Sequence, residues 1–203
     1  MSRRGALALA PLVAAAAPAA DERRSGFHDM SPATQALQRD DTLNPAMLWA
    51  GDGERLWSEP AGATRKACAD CHGADARRTM RGVAARHPAY DAASRKPLTL
   101  AGRISACRAR HQRAAPLAPE SDALLALETW VGMASRGLPI APDADARLAP
   151  VRAAGRRLWH ERIGQLDLSC AQCHDRHAGQ RLGGSVIPQA HPTGYPIYRL
   201  EWQ

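Results

Sequence analysis

The chain has 203 residues, which is enough for one domain or for two small ones. Leu, Ile, Val and Phe together make up only about 15% of the residues, less than a domain that builds its core from side chains alone normally contains. The net charge of +7 comes from basic residues, nearly all Arg, that are spread along the chain without an accompanying series of aromatic residues, so the composition gives no support to nucleic-acid binding.

Residues Met1–Ala19 have the pattern of a secretory signal peptide. Two arginines near the start are followed by the alanine-rich run Ala6–Ala17 and by small residues at Ala17-Pro18-Ala19 that suit cleavage. The apolar run is too short to cross a bilayer, and no later stretch is apolar enough to do so. We therefore predict an exported protein of the periplasm with no membrane span.

The first predicted helix of the mature chain covers Ala33–Arg39. Ser31 is a favourable N-cap residue and Pro32 is favourable at the first helical position. Asn44-Pro45 is expected to end this helical region. The apolar segment Met47–Trp49 that follows is expected to pack in the core and not to bind a ligand.

The most informative segment is Cys68-Ala69-Asp70-Cys71-His72, a C-x-x-C-H sequence. Two cysteines at this spacing form thioether bonds to the two vinyl groups of a haem, and the adjacent His then faces the iron as an axial ligand. The pattern recurs at Cys170-Ala171-Gln172-Cys173-His174, and the two copies use four of the five cysteines. The alternatives are a redox-active dithiol or zinc, but Cys107 alone cannot complete two zinc sites. We predict two covalently bound c-type haems, attached through Cys68, Cys71, Cys170 and Cys173 and ligated by His72 and His174.

The two motifs belong to a longer repeat. Gly53-Glu54-Arg55-Leu56-Trp57 precedes the first and Gly155-Arg156-Arg157-Leu158-Trp159 precedes the second, with each Trp 11 residues before the first Cys of its motif. The copies align at an offset of 102 residues without a gap, which indicates a duplicated module. A helix with Gly and an aromatic residue on one face, followed closely by C-x-x-C-H, resembles the start of a class I cytochrome c. We predict a mainly α fold made of two cytochrome c-like haem modules.

Cys107 is the one cysteine outside the two motifs. A helix within Leu98–Arg113 is predicted to carry it, in the segment from which a ligand opposite His72 should come. A thiolate there would donate strongly to iron and lower its reduction potential. Cys107 could instead pair with a cysteine of a tail or partner, or stay free. His87 and His111 are alternative ligands, whereas Met80 follows His72 by only 8 residues and Met133 lies inside the predicted closing helix. We favour Cys107.

A further helix is predicted from Asp122 to about Arg136, with Ser121 as its N-cap and Gly137 as its stop. Its apolar stripe consists of Leu124, Leu127, Val131 and Ala134. This helix is expected to cross the Gly53–Trp57 helix and so to close the first module.

The predicted modules cover residues 20–145 and 146–203. The second has an opening helix over Val151–Ile163 and its haem motif, but no counterpart of the closing helix. We therefore expect it to be incomplete at its C-terminal end and the sequence to be a fragment. The repeat places a second distal cysteine at about position 209, beyond Gln203.

Four segments carry a resemblance to a known family: Met30–Gln35, Asn44–Trp49, Arg103–Cys107 and His191–Gln203. On these residues the chain resembles the SoxA family, the dihaem cytochrome subunit of the SoxAX complex, also called L-cysteine S-thiosulfotransferase. The resemblance covers nearly the whole mature chain.

The resemblance implies that His72 and Cys107 ligate the first haem and that Cys170, Cys173 and His174 bind the second. In the family, a further cysteine after the segment matching Tyr195–Gln203 ligates the second haem and carries a persulfide. The catalytic residue is therefore expected beyond Gln203, none is expected within this chain, and the chain as printed is not expected to turn over.

The implied reaction joins thiosulfate oxidatively to a cysteine of a SoxYZ-type carrier protein, with electrons passed to a SoxX-type partner cytochrome. Three alternatives stay open from the residues alone: an electron-transfer dihaem cytochrome c, a thiosulfate dehydrogenase that forms tetrathionate, and a cytochrome c peroxidase. A peroxidase needs an open or weakly held axial position, which thiolate-ligated haems would lack.

Overall fold

The structure, a computed structural model, describes residues 23–190. The predicted signal peptide and the family segment His191–Gln203 therefore lie outside the described residues. The α-helices of this part are α1 Pro32–Arg39, α2 Ala46–Ser58, α3 Ala69–His72, α4 Ala76–Thr79, α5 Leu100–Cys107, α6 Asp122–Met133, α7 Ala149–His160 and α8 Cys170–His174. Its strands are β1 Ala89–Asp91, β2 Lys96–Leu98, β3 Arg181–Leu182 and β4 Ser185–Val186, and they form two antiparallel pairs, β1–β2 and β3–β4. The mainly α fold class is confirmed.

Helix α1 starts at a side-chain cap, whereas α2 starts at Pro45 after a turn held by the Asn44 side chain. Ser31 Oγ accepts a hydrogen bond from the Thr34 backbone N–H at 3.2 Å, as the N-cap prediction for α1 requires. Asn44 Oδ1 accepts one from the Ala46 N–H at 3.0 Å, so Asn44-Pro45 begins α2 as well as ending the region of α1. The helix predicted around Gly53–Trp57 is therefore longer at its N-terminal end. Of the segment expected in the core, Met47 packs there, but Leu48 is 76% exposed.

The crossing of α2 and α6 is the main packing contact of the first module. A Cβ atom added at Gly53 would lie 2.2 Å from the Ala126 carbonyl oxygen and 2.6 Å from Trp130 Cβ, so only glycine permits this approach. Trp57, Trp130 and neighbouring apolar side chains form the buried cluster around the crossing. The predicted crossing is confirmed.

Helix α6 is buried on nearly all sides and not only along the predicted stripe. Every residue from 124 to 133 is buried, because other elements of the first module surround the helix. Ser121 occupies the N-cap position, but its buried Oγ has no hydrogen-bond partner within residues 23–190. At the start of the helix, the Ser121 backbone carbonyl accepts hydrogen bonds from the N–H groups of Leu124 and Leu125, both at 2.9 Å. The predicted position of the cap is correct, but its side-chain hydrogen bond is not made.

The segment with Cys107 is helical, as predicted, but its geometry changes at the cysteine. Helix α5 ends at Cys107 and continues as a π-helical turn over Arg108–Gln112, which Arg113 ends in the left-handed conformation. The β1–β2 hairpin just before α5 was not predicted. It precedes Thr99, whose side chain caps α5.

The second motif follows helix α7, which contains no buried residue within the described part of the chain. Its apolar Leu158 is 62% exposed. The 3₁₀ turn before it, Ala146–Leu148, packs on the first hairpin, where Arg147 lies over the Tyr90 ring with its Cζ 3.8 Å from the ring centroid. The proposed module boundary at 145 and 146 stays a prediction. Among residues 23–190, no helix is long and apolar enough to cross a membrane.

Candidate haem site

The first motif forms a single helical turn. Cys68 is the N-cap of α3, and its carbonyl accepts hydrogen bonds from the N–H groups of Cys71 at 3.2 Å and His72 at 3.0 Å. Residues at spacings of three and four share one face of a helix, so both thiols and the imidazole lie on the same side. The Asp70 carboxylate accepts the Ala67 N–H at 2.8 Å and holds the start of the turn. This is the arrangement that two thioether bonds and an axial His require.

Trp57 fixes this turn against helix α2. Its indole Nε1 donates a hydrogen bond to the Gly73 carbonyl at 3.0 Å, and its ring centroid lies 5.7 Å from that of His72. Because Trp57 is buried in the core, it ties the position of the imidazole to the rigid α2–α6 crossing.

A cavity of about 440 Å³ opens beside the motif. Its volume lies within the range of about 300–1,000 Å³ that is usual for small-molecule and cofactor sites. Cys68, Cys71 and His72 line it, as do Cys107 and, from α6, Leu127 and Val131. The structure thus brings Cys107 into the same cavity as the first motif. The alternative ligands His87 and His111 also line this cavity, as does Met80. Met133 packs in the hydrophobic core.

Cys107 is a half-buried free thiol at the point where α5 becomes a π-helical turn. Such turns occur often at functional sites because they re-aim neighbouring side chains. Burial raises the pKa of the Cys107 thiol, and the positive charges of Arg103 and Arg110 act in the opposite direction. The position and charge environment fit the predicted ligand, and the ligand role itself stays a prediction.

His87 is the alternative with the most suitable geometry. Its Nδ1 lies 2.9 Å from the Val83 carbonyl oxygen and donates to it, which leaves the Nε2 lone pair available. That Nε2 is buried and has no hydrogen-bond partner within residues 23–190. Burial also lowers the pKa of His87, which favours the neutral imidazole. His87 and Cys107 both remain compatible with a ligand role.

The residues present fit a haem. The cavity wall combines apolar side chains with two arginines, Arg103 and Arg108, and haem is a large apolar ring with two carboxylates. Arg108 Nε and Gln112 Oε1 are buried without hydrogen-bond partners in the described residues, and the guanidinium N–H suits a carboxylate. Sequence reasoning missed both residues. Their spacings from Cys107, one and five residues, gave no helical-face signal for either.

The second motif repeats the local geometry of the first. The Trp159 and His174 ring centroids are 5.8 Å apart at an interplanar angle of 35°, against 5.7 Å and 36° for Trp57 and His72. The isolated bridge Ile163↔Leu168 corresponds, at the offset of 102, to the bridge Ala61↔Lys66 before the first motif. These matches support the duplication inferred from the sequence, which stays a prediction.

Two hydrogen bonds distinguish the second site. His174 Nδ1 lies 2.8 Å from the Pro188 carbonyl oxygen, so the ring is held with its Nε2 available to a metal. Trp159 Nε1 donates to the Asp175 carboxylate at 2.9 Å, where Trp57 uses a backbone carbonyl. The burial of the cysteines is also reversed: Cys170, which begins α8, is exposed and Cys173 is half-buried, whereas Cys68 is half-buried and Cys71 is exposed.

Comparison with known proteins assigns the family. The family model of the SoxA/TsdA cytochrome c domain matches residues 52–140, a range that contains the first motif and Cys107. The L-cysteine S-thiosulfotransferase subunit SoxA of Rhodovulum sulfidophilum is 35% identical over 195 residues, which are 95% of this chain and 67% of that protein. The chain belongs to the SoxA family.

Two further SoxA-family comparisons agree. The SoxA subunit of Pseudaminobacter salicylatoxidans is 32% identical over 181 residues, covering 89% of this chain and 63% of that protein. The crystal structure of SoxXA from P. pantotrophus superposes with a TM-score of 0.81 at 30% identity, covering 88% of this chain and 67% of the matched chain. The chain thus spans about two thirds of the length of these SoxA relatives.

Membership of the SoxA family bears on the cofactor. A cytochrome c domain carries covalently bound c-type haem, so the family match supports haem at the first motif. The second haem and the full set of ligands stay predictions, since the matched range ends before Cys170.

Proposed function

We propose that the chain is the dihaem cytochrome subunit of a periplasmic L-cysteine S-thiosulfotransferase. The observation that carries this proposal is the first cavity, in which a C-x-x-C-H turn and the Cys107 thiol face the same space. A thiolate ligand in place of the methionine thioether lowers the reduction potential of haem and separates this site from an ordinary electron-transfer cytochrome c.

The chain's own residues would have distinct tasks at the two sites. At the first, Cys68 and Cys71 would attach the haem, and His72 and Cys107 would ligate the iron. At the second, Cys170 and Cys173 would attach the haem, and His174, held by the Pro188 carbonyl, would ligate the iron. Bound haem would supply one-electron redox chemistry.

The proposed reaction forms a sulfur–sulfur bond between thiosulfate and a cysteine thiol of a SoxYZ-type carrier protein. The thiol proton is released and two electrons leave, so the carrier sulfur and thiosulfate are oxidised together. A SoxX-type cytochrome partner would receive the electrons. The P. pantotrophus relative is described in complex as SoxXA, which supports a partner of this kind. The basic net charge favours the approach of anionic thiosulfate.

Location in the periplasm follows from the predicted signal peptide and from the chemistry of haem attachment, which follows export. The predicted persulfide cysteine belongs to the same proposal, and the printed sequence contains no cysteine after Cys173.

The test uses the native subunit that carries this sequence, purified from its own cells with its bound partner. Thiosulfate is added with and without a SoxYZ-type carrier, and intact-mass measurement follows the carrier while tetrathionate is assayed in parallel. We expect carrier modification and haem reduction that both require the carrier. Tetrathionate formation without a carrier would instead identify a thiosulfate dehydrogenase, and haem reduction by neither route would identify an electron-transfer cytochrome.

A further inference from the structure

A buried carboxylate lies behind the wall of the first cavity that carries Cys107. Asp91, the last residue of β1, has a side chain that is only 4% exposed. Its carboxylate accepts hydrogen bonds from Arg103 Nη1 and Arg110 Nη1, both at 2.9 Å. It also accepts from the Ser94 hydroxyl at 2.6 Å and the Ser94 backbone N–H at 2.9 Å. The carboxylate is therefore saturated with donors and held by its own hairpin.

The two arginines lie on either side of Cys107 in the chain. Arg103 precedes it by four residues in α5, and Arg110 follows it by three in the π-helical turn. Both arginines pair with the same Asp91 carboxylate, and Arg103 lines the cavity together with Cys107. A single carboxylate from the β1–β2 hairpin thus links both ends of the segment that presents Cys107.

The hydrogen bonds to Asp91 come from both sides of the point where the α-helix changes to the π-helical turn. An isolated π-helical turn is a rare conformation and needs surrounding contacts to persist. Arg110 lies inside the turn and donates to both oxygens of Asp91. Gln112, at the end of the turn, donates to the Lys66 carbonyl at 2.8 Å, close to the first motif. The turn is therefore held on one side by the hairpin and on the other by the segment that leads into the motif.

The network also sets the charge around the sulfur. Two guanidinium groups and one carboxylate leave a net positive charge beside Cys107, and Arg103 itself lines the cavity. A positive charge next to a sulfur ligand stabilises its anionic form. Without the carboxylate, two like charges would remain together in a half-buried site, and they would separate.

We propose that Asp91 is a positioning residue for the sulfur ligand of the first haem. It fixes the turn after Cys107 and holds Arg103 and Arg110 beside the sulfur, so that one ligand geometry and one local charge are maintained. This inference rests on the proposed ligand role of Cys107. Nothing in the SoxA family assignment depends on it.

The experiment compares low-temperature EPR spectra and haem midpoint potentials of the haem-loaded chain and its variants. Asp91→Asn removes the charge, Asp91→Glu retains it, and Asp145→Asn is the matched control. Asp145 likewise pairs with an arginine, Arg147, but it lies outside the group of residues around Cys107. We expect Asp91→Asn to replace the single sulfur-ligated signal by a mixture and to raise the potential of the first haem. Asp91→Glu should restore most of the signal, and the control should leave it unchanged.

Arg110→Gln provides a second, opposite test. Because it removes a positive charge, it should lower the potential of the first haem, whereas loss of the carboxylate raises it. Shifts of the same sign in Asp91→Asn and Arg110→Gln, or no shift in either, would overturn the proposal. If Asp91→Asn does not fold, the sign of the Arg110→Gln shift alone decides.

Cys107→Met separates this inference from the proposed function. If Cys107→Met changes the signal of the first haem but Asp91→Asn does not, Asp91 supports only the fold and the inference fails. If Cys107→Met leaves the signal unchanged, the ligand role of Cys107 fails first.

Discussion

At the scale of single residues, the ionisation of Asp91 couples the stability of the fold to pH. Hydrogen bonds from Arg110 and then from Ser94 hold the pKa of this carboxyl well below its usual range. The usual value near 3.9 applies to the unfolded chain. Because the folded pKa is the lower one, ionised Asp91 stabilises the fold fully above about pH 4, and this stabilisation is lost as the pH falls towards the folded pKa.

We therefore predict that Asp91→Asn makes the stability of the haem-loaded chain less dependent on acid. Thermal unfolding followed by circular dichroism from pH 5 to pH 2 should show a steep fall of Tm for the unmodified chain and a shallower one for the variant, which starts lower. Asp145, whose pKa Arg147 lowers to about 2, contributes equally to both proteins. Parallel Tm curves for the two proteins would contradict the role of Asp91.

At the scale of elements, the crossing of α2 and α6 holds the first site together. It depends on Gly53, where the neighbouring helix leaves no room for a Cβ atom. Gly155 is its counterpart at the offset of 102, and a Cβ atom added there would meet nothing within 4 Å in the described part of the chain. The same residue in the two copies therefore has different packing.

Replacing glycine by alanine should therefore have opposite effects on stability at positions 53 and 155. Gly53→Ala should destabilise the first module by about 1–3 kcal/mol through overpacking. Gly155→Ala should stabilise α7 by about 0.5–1 kcal/mol, because alanine is the better helix former in an exposed helix. Denaturant unfolding of both haem-loaded variants measures the change. Equal effects at the two positions would show that the helix crossing does not need Gly53.

Local sequence patterns predicted some of these elements and not others. The cap of α1, the crossing at Gly53 and a helix carrying Cys107 follow from residue types at fixed spacing. The β1–β2 hairpin and the π-helical turn do not, because contacts with distant residues stabilise them. The same reason explains why Cys107 and the first motif could be predicted as one site, while Asp91 and Arg108 could not.

At the scale of the whole molecule, one chain presents two motifs with the same local geometry in different surroundings. The first lies in a cavity closed by α5 and α6, whereas Leu158 and Ile163 near the second are largely exposed. A haem supplies apolar surface that this aliphatic-poor chain lacks, so haem binding and folding are expected to be coupled.

The two motifs should therefore bind haem separately. Intact-mass measurement of the denatured chain should give two covalent haems for the unmodified protein. Variants with Cys68→Ala and Cys71→Ala, or with Cys170→Ala and Cys173→Ala, should each retain one. Only the variant with Cys170→Ala and Cys173→Ala should keep the thiolate-ligated EPR signal of the first haem. Retention of two haems by either variant would contradict attachment through that motif.

The proposed function depends most directly on the thiolate ligand of the first haem. The deciding measurement is low-temperature EPR of the oxidised, haem-loaded chain, comparing Cys107→Met with His87→Ala, which removes the other suitable side chain of the cavity. We predict that Cys107→Met abolishes the thiolate-ligated low-spin signal of that haem and that His87→Ala leaves it in place. An unchanged signal in Cys107→Met, or its loss in His87→Ala, would contradict ligation by Cys107.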